Sequence, residues 1–74
     1  MSRYYSAERM SKDDFGVLFT KKEGEVVYDA MTKHGPWATM TEQSFKVHGF
    51  GAIGTGRGQK YVRNAKGELH KVEG

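Results

Sequence analysis

Apolar positions in this chain fall in short clusters separated by polar and glycine-containing turns. Residues 15–20, Phe-Gly-Val-Leu-Phe-Thr, read as a strand, and Lys21-Lys22-Glu23-Gly24 as a turn. Residues 25–30, with Val26, Val27 and Tyr28, read as the returning strand, because β-branched and aromatic side chains suit a pleated surface. That hairpin register sets Phe19 opposite Val27 and predicts a core face of Phe15, Val17, Phe19, Val27 and Met31. A helix over 25–34, stopped by Gly35-Pro36, is the competing reading. Trp37, the one tryptophan, is expected to anchor the core.

A short helix is expected near 40–48, with Thr39 and Glu42 as a capping box and Gly49 as a left-handed C-cap. Beyond it, residues 49–58 hold five glycines, which predicts a glycine-rich loop. Residues 59–63 and 68–72 form a second predicted hairpin across Asn64-Ala65-Lys66-Gly67. Its register pairs Val62 with His70 and Tyr61 with Lys71. One face then carries Lys60, Val62, His70 and Val72, and the other Gln59, Tyr61, Arg63, Leu69 and Lys71. Neither face is cleanly apolar, so the ribbon is expected to pack partly and project its basic groups. The predicted fold is a single α+β domain over 1–74, with residues 1–12 loose. The helical reading of 25–34 gives a winged helix-turn-helix instead, whose second helix would present Thr41, Gln43, Ser44 and Lys46 to a groove.

Composition narrows the function classes. At 74 residues and 36% hydrophobic content there is material for one small core. No apolar run approaches the roughly 18 residues of a membrane span, and the first residues lack the apolar stretch of a signal peptide. A cytoplasmic protein is expected. The absence of cysteine excludes disulfides and thiolate chemistry. His34, His48 and His70 lack metal-ligand spacing, so neither metal nor cofactor is expected. Asp13 and Asp14 are adjacent and expected to be exposed, and nothing assembles a catalytic group, so the expectation is a non-enzymatic protein.

Charge adds a direction. Residues 1–43 carry six cations and seven carboxylates, whereas 44–74 carry six cations and two carboxylates. Segregation of this kind points to an anionic partner. Gly49-Phe50-Gly51-Ala52-Ile53-Gly54 matches G-x-G-x-x-G in letters, but a helix precedes it and a strand follows, the reverse of a dinucleotide site. The neighbouring segment interleaves cations with an aromatic ring, as a nucleic-acid surface does. Lys46, Arg57, Lys60, Tyr61, Arg63 and Lys71 are therefore the expected nucleic-acid-binding residues, with DNA favoured over RNA. The alternative is a small accessory or inhibitor protein that binds an acidic protein partner through aromatic residues such as Tyr4, Tyr5 and Phe50. A homodimer is compatible with both, since assembly stabilises a marginal monomer.

Overall fold

A computed structural model of the chain describes residues 2–74. The element order is α1 (Tyr5–Glu8), β1 (Val26–Met31), β2 (Trp37–Thr41), α2 (Glu42–His48), β3 (Gly58–Arg63) and β4 (Leu69–Glu73). The four strands form one antiparallel sheet in the order β2-β1-β3-β4. Sheet and helices make a small α+β domain.

Strand β1 is central, and its alternation feeds both faces. Val27 points to one face, with Tyr61 and Leu69, where Ala7, Phe19, Tyr4 and Met10 cover it. Tyr28 and Ala30 point to the other, with Met40, where Phe45 and Ile53 pack. The Tyr28 and Phe45 rings stack at 3.9 Å. Gly58 lies opposite Ala30, at φ +149°, and a Cβ there would run into the Ala30 side chain. Glycine is what lets β3 approach β1 at that rung.

The predicted N-terminal hairpin does not form. Residues 15–20 make only an isolated bridge, Lys12 to Leu18, and both edges of β1 are taken by β2 and β3. Phe19 meets Val27 by packing across a face rather than by pairing along an edge. Residues 25–34 are not helical either, which removes the first helix that a winged helix-turn-helix requires. Trp37 is 45% exposed at the start of β2 and is not a core anchor. Phe15 is also exposed. Helix α2 starts at Thr41, whose Oγ1 accepts the Ser44 N–H at 3.2 Å, and Thr39 belongs to β2. Gly49 has φ −69°, so it is not a left-handed cap; a side chain there would collide with Phe45.

The C-terminal hairpin matches its predicted register, Val62 to His70 and Tyr61 to Lys71, with Gly67 at φ +84° closing the turn. Residues 2–20 bind both sheet edges. The Lys71 N–H donates to Ser2 O and the Tyr4 N–H to Leu69 O along β4. At the β2 edge, Asp13 is buried rather than exposed. Its Oδ1 accepts the Phe15 and Val17 N–H groups, and its Oδ2 the Thr41 N–H and Oγ1–H, all at 2.8–2.9 Å. Burial works against ionisation of Asp13, but the Ser44 hydroxyl, the Thr41 and Val17 amides and the Thr41 hydroxyl favour the charged form, outweigh it and hold the carboxyl below the usual range.

Candidate nucleic-acid interface

The sheet has two unlike ends. At the turn end, residues 32–36 link β1 to β2, and three backbone contacts gather distant segments. The Met31 N–H donates to Arg57 O at 2.9 Å, the Phe50 N–H donates to Met31 O at 2.9 Å, and the Lys33 N–H donates to His48 O at 2.9 Å. Trp37 is the Cα partner of Met31 on the opposite strand. Trp37, Lys33, His48, Phe50 and Arg57 therefore surround one rung of the sheet.

The rings at this end are open: Trp37 is 45% and Phe50 53% exposed. The Phe15 ring stacks on His48 at 4.0 Å beside them. Lys33, His34, Lys46 and Arg57 are exposed. Arg57 is presented by a tight loop in which the Gly58 N–H donates to Gly54 O and the Gly54 N–H to Gly58 O, both at 3.0 Å. No carboxylate occurs in the sequence between Asp29 and Glu42, or between Glu42 and Glu68. The acids around this end are Asp29 and Asp14, which meet the Thr39 backbone by strand register and by hydrogen bonding respectively, and Glu73, the strand partner of Lys60; Glu42 lies one helical turn before Lys46. Burial, and then the Asp14 charge, push the Asp29 carboxyl above its ordinary value.

At the far end the signs mix. Glu25, Glu42 and Glu68 sit there with Lys22, Arg63 and Lys66. A depression of about 290 Å³ opens between Leu18, Val26, Thr41 and Glu42. The Glu25 carboxylate on its rim is committed to Arg63 and to the Thr20 and Lys21 N–H groups.

The six residues expected to bind nucleic acid separate on this scaffold. Lys46 on α2 and Arg57 before β3 are exposed towards the turn end. Lys60 is half-buried in the middle of β3, level with Tyr28 and Glu73. Lys71 is half-buried on β4, and its Nζ donates to Gly74 O at 3.3 Å. Tyr61 is 7% exposed and packs against the Tyr4 ring at 5.0 Å. Arg63 is 1% exposed: its Nε donates to Glu25 Oε1 at 2.9 Å and its Nη1 to Gly67 O at 2.8 Å. Neither Tyr61 nor Arg63 can reach a ligand on the surface of this fold.

Trp37, Phe50 and Lys33 are absent from the sequence-derived set. Their signal was the carboxylate-free stretch around two isolated aromatic residues, but only the sheet brings those residues to one rung. Among the described residues, no group of three metal-ligating side chains converges. No known protein family, curated protein or solved structure matches the chain.

Proposed function

We propose that this protein is a non-enzymatic nucleic-acid-binding domain whose interface is the turn end of the sheet. The observation that carries the reading is the gathering of exposed Trp37 and Phe50 with the exposed cations Lys33 and Arg57 around one rung, with Lys46 on the helix that leads to it, in a chain that carries no carboxylate between residues 43 and 67. Cations alone are a solvated surface; open rings alone suit a protein partner. Together they match the two chemistries of a polynucleotide, phosphate and base.

Three to four phosphate contacts, from Lys33, Lys46 and Arg57 with Lys60 at the margin, set the salt dependence. At about 0.7 counterions per contact on a single strand, log K falls with log salt at a slope of about −2 to −3. Raising salt from about 50 to 200 mM then weakens binding about 20- to 50-fold. Fluorescence anisotropy with a labelled oligonucleotide measures this directly. Salt-independent binding, or none at about 50 mM salt, removes the reading and leaves an acidic protein as the partner to seek.

A further inference from the structure

We infer that Trp37 and Phe50 are stacking platforms for unpaired bases, so that the ligand of this surface is a single strand rather than a duplex. The inference rests on the nucleic-acid reading above and deepens it.

Both residues are anchored through their main chains. Trp37 begins a strand paired to Met31, and the Phe50 N–H is tied to Met31 O. Their main chains thus lie on opposite sides of one central strand, about two strand spacings or 10 Å apart. A duplex offers no free base face to such rings, because its bases already stack on each other. Unpaired bases do, and every base has a π-face, so the contact tolerates any sequence.

The rim is bare as well. Gly35, Gly51, Gly54 and Gly56 border the two rings and Arg57, and a Cβ at any of them would point into open space. Backbone without side chains lets a sugar–phosphate chain approach closely. Duplex reading, by contrast, calls for an element that enters a groove. Helix α2 has seven residues, and its Ser44, Phe45 and His48 are occupied by packing. Strands β3 and β4 lie inside or at the edge of the sheet with their turn at the far end.

Trp37 is the chain's single tryptophan, so its emission reports on this site alone. The full chain is titrated with a single-stranded oligonucleotide and with the blunt duplex of the same sequence, following anisotropy of the labelled nucleic acid and Trp37 emission together. Expected is quenching of Trp37 by the single strand along the same isotherm as the anisotropy, and weaker duplex binding without quenching. Trp37→Ala lowers single-strand affinity by about 5- to 150-fold, the range of one lost base stack, while Trp37→Phe, which keeps a ring, retains most of it. Circular dichroism melts confirm that both variants fold. Equal affinity for both ligands with unchanged Trp37 emission overturns the stacking inference and leaves the nucleic-acid reading standing. Binding to neither overturns both.

Discussion

Replacing Asp13 by asparagine tests how the N-terminal segment is fastened to the sheet. The carboxylate accepts four hydrogen bonds, two from the buried Thr41 on β2 and two from the Phe15 and Val17 amides of its own loop. Asparagine keeps one carbonyl oxygen, which serves the loop amides. It also turns an NH2 donor towards the Thr41 N–H, so that buried donor is left unpaired. A buried unpaired donor costs about 1–3 kcal/mol, and the loop bonds lose the strengthening that a charged acceptor gives. The expected loss is about 2–3 kcal/mol. For 74 residues a total stability of about 4–11 kcal/mol is ordinary, so the variant gives up a large share of it. Urea unfolding followed by circular dichroism at pH 7 measures the difference. The pH dependence gives a second handle. The folded-state pKa of Asp13 is lowered, so its contribution is complete above the unfolded value of about 3.9 and is lost as pH falls through the folded value. The wild type should therefore lose stability over that acid range more steeply than Asp13→Asn. A change under about 0.5 kcal/mol at pH 7, the size of an ordinary surface substitution, would refute the reasoning.

Three further outcomes follow from the same contacts. Glu25→Ala strands the buried Arg63 guanidinium, and the expected loss is about 3–5 kcal/mol in denaturant unfolding. Gly58→Ala forces a Cβ onto Ala30 at a backbone angle that side chains rarely adopt, and thermal melts should show a loss of about 2 kcal/mol or more. The raised Asp29 carboxyl contributes stability that is complete below about pH 3.9 and lost as pH rises through its folded value. Asp29→Asn should therefore melt no lower than wild type at pH 7 and, by removing a negative charge near Trp37, bind single-stranded DNA more tightly at low salt.

What could be read from the sequence followed the range of the forces involved. The C-terminal hairpin was legible to its register, because the Asn64–Gly67 turn fixes which residues pair. The period-two alternation also sorted its faces correctly, grouping Tyr61, Arg63 and Leu69. Which face would be covered was not legible, since the cover is residues 2–20, more than forty positions away. Leu69 beside Tyr61 was the one apolar hint. An arginine on a covered face is tolerated here because Glu25 arrives from another strand's entry to neutralise it. Strand β1 is recognisable from its own residues, but local turn signals point only to partners near it in sequence. The edges went to 37–41 and 58–63 instead, and Trp37 was displaced from the expected core to the open end. Lys46 and Arg57 are exposed, Lys46 on the side of α2 turned away from Ser44 and Phe45 and Arg57 at the tip of a tight glycine loop, whereas Thr41 and Ser44, expected beside Lys46, are buried by packing the sequence does not show.

The location of the interface is best tested by two double variants of equal charge. Lys33→Ala/Arg57→Ala removes two exposed cations from the turn end, and Lys22→Ala/Lys66→Ala removes two from the far end. Anisotropy with a single-stranded oligonucleotide at about 50 mM salt should show a large loss for the first pair, with a salt slope reduced by about 1.4 for two contacts, and near wild-type binding for the second. Equal weakening by both pairs would mean that net charge, and not the turn end of the sheet, holds the ligand.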